Sequence, residues 1–299
     1  MKPMLASNYD PEKVRYPVIV QPKIDGVRGW NPEGNLLGRS LKQHANPHVN
    51  KLFSGGELVG LDGEIAVGPF NVEDTCRVTT GALNRSHGKP PAIWYVFDLV
   101  NTATIDLPYA ERLEKLKQLV SHLNRPDILA IPHAVVTNPR QLQRYLDFHL
   151  TEGLEGTILR DPAGMHKAGR STVREGGLLR VKGFEDAEAE VLEILEGNHN
   201  ANEATKNELG RTSRSSAKAG MVPNGLLGKM VCRNLADDAI ITVGPGKMKH
   251  DERKFYFENP EQLISQIITY QHFPKGRKDA PRFPTYQRIR ARSDIGDIA

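Results

Sequence analysis

Directly after an apolar run that ends in proline, the chain reads Lys23-Ile24-Asp25-Gly26-Val27-Arg28. A lysine so placed can serve as a nucleophile. Its amine is normally protonated, with a reference pKa of about 10.4, and a protonated amine cannot attack. Desolvation or a neighbouring cation favours loss of that proton. Arg28 supplies such a neighbour, and Gly26 lets the backbone turn tightly beside a ligand. Taken alone, a Lys-x-Asp-Gly run more often describes a surface turn carrying a Lys–Asp pair.

The elements that must hold this segment are legible from patterning. Pro17 to Pro22 reads as a strand ended by proline, and Ile93 to Val100 as a buried strand. Pro108 precedes a helix over Tyr109 to Leu123, with Leu113, Leu116, Leu119, Val120 and Leu123 on one face. Asn138 and Pro139 open a second helix as N-cap and first residue, with Leu142, Tyr145 and Leu146 facing inward. After Phe184 the character changes. Ala189 to Leu195, Gly228 to Cys232 and Ile240 to Val243 read as short strands. Asn259-Pro260 is expected to cap one helix carrying Leu263, Ile264, Ile267 and Ile268. Short strands plus one helix suit a small β-barrel. The pattern predicts an α+β chain of two domains, 1–186 and 187–299, divided near Asp186.

Composition sets outer bounds. The 299 residues are 38% hydrophobic and 25% charged, which describes a globular protein. No apolar run is long enough to span a bilayer, so no membrane partner is expected. The first residues lack the basic-then-apolar pattern of a secretory signal. Cys76 and Cys232 are too few and too far apart for a disulfide framework or a four-cysteine zinc site, and a reducing cytoplasm is expected. The net charge is +4. Its distribution says more: Lys206 to Arg233 holds Arg211, Arg214, Lys218 and Lys229 against Glu208 alone, and Lys275 to Arg292 is similarly basic. Two such blocks in the last third suit a polyanionic partner. No obvious exposed apolar stripe is present, so a monomer is expected.

The hexapeptide at Lys23 resembles the nucleotidyl-lysine motif of the covalent nucleotidyltransferases, the superfamily of DNA ligases, RNA ligases and mRNA-capping guanylyltransferases. Segments similar to the further motifs of that superfamily follow in order. Arg39-Ser40 resembles the arginine element that holds the ribose or the DNA end. Leu61-Asp62-Gly63-Glu64-Ile65 matches the strand whose glutamate contacts the ribose, and Tyr95-Val96-Phe97-Asp98 the element whose aromatic ring stacks on the purine. Glu155-Gly156-Thr157-Ile158-Leu159-Arg160 fits the segment near ribose and metal. His166 to Ser171, with Arg170, resembles the basic loop after it. Leu179-Arg180-Val181-Lys182 corresponds to the pair of cations that grips phosphate.

The resemblance covers nearly the whole chain and implies an ATP-grasp-like nucleotidyltransferase (adenylation) domain followed by an OB-fold β-barrel. It implies Lys23 as the covalent catalytic residue. The ATP-binding set would be Gln21, Pro22, Arg28, Arg39, Glu64, Phe97, Arg170, Arg180 and Lys182. Mg²⁺ or Mn²⁺ would sit at Glu155 and Asp25. Arg180 and Lys182, two apart on a strand, would reach one phosphate together. Two positions depart from the usual pattern. Arg180 stands where the family usually has lysine, which keeps the charge but replaces a point ammonium by a planar fork. Gln21 stands where glutamate is frequent, and its amide can still accept a hydrogen bond from an adenine amine.

The last third is similar to the OB domain of small viral and bacteriophage-type ATP-dependent DNA ligases. Arg211, Arg214 and Lys229 fall in the DNA-facing segment, and Arg290 with Asp294 in the terminal motif that orients pyrophosphate. The resemblance implies sealing of nicked double-stranded DNA with ATP and a divalent cation, with the OB domain swinging about a joint near Gly183 to Asp186. A guanylyltransferase is disfavoured by the segment around Arg211. A NAD-dependent ligase is disfavoured because only some twenty residues precede Lys23 and no zinc cysteines are present. Removal of the first ten residues is expected to leave adenylation intact.

Overall fold

The computed structural model describes residues 2–72, 74–183, 185–273 and 281–290, with the backbone alone at Lys182. It divides into two compact units, Met1–Lys182 with Asn207–Gly210, and Gly183–Lys206 with Arg211–Ala299. The expected joint at Gly183 to Asp186 includes Phe184, which lies outside the described residues.

The first unit runs through β1 (Met4–Leu5), β2 (Ser7–Asn8), β3 (Val18–Pro22), β4 (Val27–Trp30), α1 (Pro47–Leu52), β5 (Leu61–Val67), α2 (Thr75–Leu83) and β6 (Ala92–Leu99). It continues with α3 (Tyr109–Leu123), β7 (Ile128–Ala130), β8 (Ala134–Val136), α4 (Pro139–Thr151), β9 (Gly156–Arg160), β10 (Gly169–Arg170) and β11 (Leu179–Lys182). These strands form a five-stranded sheet in the order β2-β11-β9-β3-β8, a four-stranded sheet in the order β4-β5-β6-β7, and a β1-β10 pair. Local chemistry explains the helix starts. Pro139 preorganises the first turn of α4, and Asn138 accepts a hydrogen bond from the Gln141 amide at 3.0 Å. The inward faces of α1 to α3 pack on the four-stranded sheet around Phe53, Trp94, Leu113 and Leu116, while Leu142 of α4 packs with Val18, Val20 and Leu159 of the other sheet. Burial of each such aliphatic side chain contributes about 1.5–3 kcal/mol.

The second unit contains β12 (Glu185–Asn200), β13 (Ala204–Lys206), β14 (Thr212–Arg214), β15 (Met221–Asn234), β16 (Ile240–Val243), α5 (His250–Glu258), β17 (Ile267–Phe273) and β18 (Arg282–Arg290). Five of these strands form an antiparallel sheet in the order β16-β15-β12-β17-β18. Among the described residues, Gly244, directly after the edge strand β16, forms an isolated bridge with Thr285 of the other edge strand, β18. The core under the sheet holds Val191, Met230, Cys232, Ile268 and Tyr270.

Two sequence expectations need correction here. Asn259-Pro260 opens only a 3-10 turn, Pro260–Gln262, and Ile267 and Ile268 belong to β17. Ser265 adopts φ of +65°, which stops helical propagation, and the β-branched Ile-Ile-Thr run then favours a strand. The helix of this unit is α5, where Glu252 accepts from the Lys249 amide at 2.7 Å across its first turn. Ala189 to Leu195 and Gly228 to Cys232 also lie within longer strands, while Ile240 to Val243 is a strand with the expected bounds. Register shifts near Val191, Leu195 and Glu196 interrupt the alternation by which a long strand is recognised.

Candidate active site

The Lys23 segment is the connection between the two large sheets. Gln21 and Pro22 end β3 in the five-stranded sheet, and Val27 begins β4 in the four-stranded one. The Lys23 amide donates to the Gly156 carbonyl at 2.9 Å, which ties the connection to the start of β9. Ile24 is buried against Ala66, Tyr95 and Ile131 and anchors it from below. Gly26 owes its identity to close approach: a Cβ there would lie 2.3 Å from the Ile65 carbonyl oxygen of β5. A tight turn was the expected reason, but its φ is not left-handed and contact with β5 is what excludes a side chain.

A cavity of about 290 Å³ opens over this connection. Its lining includes Gln21, Pro22, Lys23, Arg28, Arg39, Glu64, Phe97, Arg170 and Arg180. Ile158 of the Glu155 to Arg160 segment also lines it, together with Leu5, Ala6, Ile131 and Leu178, none of which was singled out in the sequence. Glu155 touches the cavity chemistry through Lys23, whose Nζ forms an ion pair with Glu155 Oε2. Asp25 is not in the lining, although its charge, like that of Lys23, acts on Glu64. Lys182 pairs through its backbone with Gly156, the residue that receives the Lys23 amide.

The cations of the cavity divide into two kinds. Arg28 is committed: its Nε and Nη2 both donate to Asp62 at 2.5 Å, and its guanidinium lies 4.8 Å from the Phe97 ring centre. Its charge is therefore matched by a carboxylate, and the expected role of a free cationic neighbour for Lys23 is not what the geometry provides. Arg39, Arg170 and Arg180 differ. Among the described residues none of them pairs with a carboxylate; Arg170 donates to the Ala6 carbonyl at 2.6 Å and Arg180 to Asn8 Oδ1 at 2.8 Å. Burial, then the nearby Arg170, Arg28 and Arg180, hold Arg39 below its ordinary pKa. Three mutually repelling guanidinium groups around one cavity form a site for an anion.

The acids are equally sorted. Burial pushes the Glu64 carboxyl up to about 7, against the opposing pull of Lys23 and Arg28. Asp98 sits behind the cavity wall, fully buried, and receives Arg112 at 2.8 and 3.0 Å and also Arg160. Burial works against its charge, but the two arginines outweigh it and keep the carboxyl below its usual range.

The N-terminal segment builds part of the site. β1 pairs with β10 and β2 with β11, so Leu5 and Ala6 reach the cavity and Asn8 orients Arg180. The expectation that the first ten residues are dispensable is thus at odds with the geometry. No local motif marks them; their contribution is made entirely by pairing with distant strands.

In the second unit, Arg211 and Arg214 are exposed at β14, where Arg214 donates to the Asn202 carbonyl, and Lys229 is exposed on β15. Arg290 ends β18 and pairs with Glu188 at 2.7 Å. Asp294 lies outside the described residues, as do positions 275–280 and 291–292 of the second basic block.

A family model described as ATP dependent DNA ligase domain matches residues 3–182, and a second, DNA ligase OB-like domain, matches residues 220–290. The chain belongs to the ATP-dependent DNA ligase family. DNA ligase B of Mycobacterium tuberculosis is 30% identical over 194 residues, covering 59% of this chain and 37% of that protein. The chain spans well under half the length of the curated relatives it matches. A crystal structure of Chlorella virus DNA ligase-adenylate is 28% identical and covers 97% of this chain and 99% of its own, with a TM-score of 0.55. A structure from work on Lig E DNA ligases is 19% identical with a TM-score of 0.72 over 97% of this chain and 99% of its own, a likeness of fold. The ligase family thus accounts for the mixed first unit and for the OB-like second one.

Proposed function

We propose that this chain is an ATP-dependent DNA ligase that seals 5′-phosphate/3′-hydroxyl nicks in duplex DNA through AMP carried on Lys23. The observation that carries the proposal is the position of Lys23, on the floor of a cavity ringed by Arg39, Arg170 and Arg180, cations that no described carboxylate neutralises. An ATP triphosphate would supply the missing charge, and cations placed where charge develops on the α-phosphate lower the barrier to attack. Lys23 Nζ bonds to the α-phosphorus as the bond to the β-phosphate oxygen breaks and pyrophosphate leaves. Glu155, in contact with Nζ, is the acceptor at hand for the departing proton. The AMP then passes to the 5′-phosphate at a nick, and the 3′-hydroxyl displaces it.

Phe97 lines the cavity as a surface for the base, and Glu64 as a partner for the ribose. A divalent ion, Mg²⁺ or Mn²⁺, would be held by Glu155 and Asp25 and would offset charge on the phosphate oxygens. Two carboxylates suit such an ion, since Mg²⁺ takes one or two and keeps several waters. In the second unit, a closed OB-fold barrel is supported by the five antiparallel strands and the Gly244–Thr285 bridge. Exposed Arg211, Arg214 and Lys229 suit backbone tracking on any duplex. Arg290 with Asp294 would orient pyrophosphate. Domain limits of 1–186 and 187–299, a monomeric state and a cytoplasmic setting complete the proposal.

The test is incubation with ATP labelled at the α-phosphate and magnesium, followed by a denaturing gel, mapping of the labelled residue and addition of a nicked duplex. Label on Lys23 and a sealed strand are expected. Label on another side chain, or no sealed product across a range of salt, would overturn the proposal.

A further inference from the structure

Behind the cavity, Gln21 Nε2 donates to the Tyr109 hydroxyl at 2.8 Å, and that hydroxyl donates to the Phe97 carbonyl at 2.9 Å. The direction of both bonds is fixed by chemistry. A carbonyl only accepts, so Tyr109 must give its single proton to Phe97. The phenol oxygen can then only accept, so Gln21 must turn its NH₂ toward it. The Phe97 carbonyl is available because Phe97 stands at a bulge, where the register passes from Asp62 opposite Asp98 to Gly63 opposite Val96 and leaves Phe97 without a partner on β5. The ring of Tyr109 is itself clamped. Arg160 lies 3.9 Å from its centre and Arg112 5.5 Å, and both arginines are held by Asp98.

One atom is left over. Gln21 Oε1 takes no hydrogen bond from any described residue, yet it is not among the sealed polar atoms that lack a partner, and Gln21 lines the cavity. We propose that Tyr109 is a positioning residue for base selection: it locks the Gln21 amide with Oε1 toward the cavity, so that the site accepts a purine with an amino donor at C6 and rejects a 6-oxo purine. A carboxylate at position 21 would present an acceptor in either orientation. An amide has a donor end and an acceptor end, and without Tyr109 nothing chooses between them.

The inference rests on the cavity being the nucleotide site of the proposed function. Labelling of Lys23 is measured with ATP and with ITP, which carries an oxo group at C6. In the unmodified protein, ATP is expected to exceed ITP at least about tenfold in kcat/KM, because a site built around one hydrogen bond rejects the analogue that cannot make it. Tyr109→Phe frees the amide to turn, and ATP's advantage shrinks by about tenfold. The double variant Gln21→Glu with Tyr109→Phe restores it. p-Aminophenylalanine at position 109 keeps the ring and the bond to Phe97 but donates to Gln21 as well, and it shifts preference toward ITP even if Tyr109→Phe fails to fold. Equal use of ATP and ITP by the unmodified protein overturns the inference, as does an ATP-to-ITP ratio that none of these substitutions moves. Absence of label with every nucleotide would instead overturn the ligase proposal.

Discussion

Lys23 Nζ and Glu155 form an ion pair whose side chains are only 19% and 11% exposed. A pair that shielded is not a surface ornament, and removing one partner leaves the other charge poorly solvated. Glu155→Gln is expected to keep the cavity but lower the rate of Lys23 labelling by about a hundredfold or more, the usual scale for loss of a proton acceptor. Lys23→Ala should abolish labelling outright. Single-turnover labelling with α-labelled ATP measures both.

The three guanidinium groups that lack a carboxylate partner among the described residues should act on nucleotide binding before they act on chemistry. Arg39→Ala and Arg180→Ala are each expected to raise the KM for ATP by roughly tenfold, consistent with loss of one charge-assisted contact. Arg180→Lys should recover only part of this, since an ammonium lacks the second arm that reaches both Asn8 and a phosphate. Initial rates against ATP concentration decide the matter. An unchanged KM in both alanine variants would mean the triphosphate lies elsewhere.

Deleting residues 1–10 removes β1, β2 and the Ala6 and Asn8 partners of Arg170 and Arg180. Labelling by the truncated chain is expected to fall at least about tenfold, the effect of losing orientation at two cations. Full activity in the same assay would show that the strand pairs are passive.

Glu64 makes stability depend on pH. Burial raises its carboxyl from 4.5 in the unfolded chain to about 7. Between those values the native state keeps a proton that the unfolded state has released, so this contribution is full below pH 4.5 and is lost as pH rises through 7. Glu64→Gln removes it. The variant should gain on the order of 3 kcal/mol relative to the unmodified protein between acid pH and pH 8. Trp30 and Trp94, the chain's only tryptophans, are both fully buried in the first unit, so their fluorescence during urea unfolding reports on it.

Asp98 is the single acid between two buried arginines. Asp98→Ala leaves Arg112 and Arg160 unpaired in the interior and is expected to cost about 3–5 kcal/mol. The same fluorescence measurement gives the value. A loss under about 1 kcal/mol would indicate that water replaces the carboxylate.

Where chemistry is carried by residues adjacent in the chain, the sequence was readable. Lys23 after a proline-ended strand, Tyr109 to Leu123 as a helix and Asn138-Pro139 as its successor's start are local patterns, and the structure has all three. What escaped was set by distant partners. Arg28 looked like a free cation because Asp62, its partner, is thirty-four residues away. Leu5 and Ala6 carry no motif at all. Tyr109 was noticed only as the residue after Pro108, although a tyrosine and Arg112 one turn apart on an otherwise apolar helix face were a signal of polar work in the core. Ile267 and Ile268 were misread because Leu263, Ile264, Ile267 and Ile268 fit a helical spacing, and nothing local announced the left-handed Ser265.

The Gly244–Thr285 bridge has a consequence for how this chain behaves at high concentration. An open sheet offers a ladder of unpaired amides along each margin, a template on which other chains can polymerise. The bridge consists of Gly244 donating to Pro284 at 2.9 Å and accepting from Tyr286 at 3.0 Å. Self-recruitment along that seam would first have to undo contacts the molecule already makes with itself.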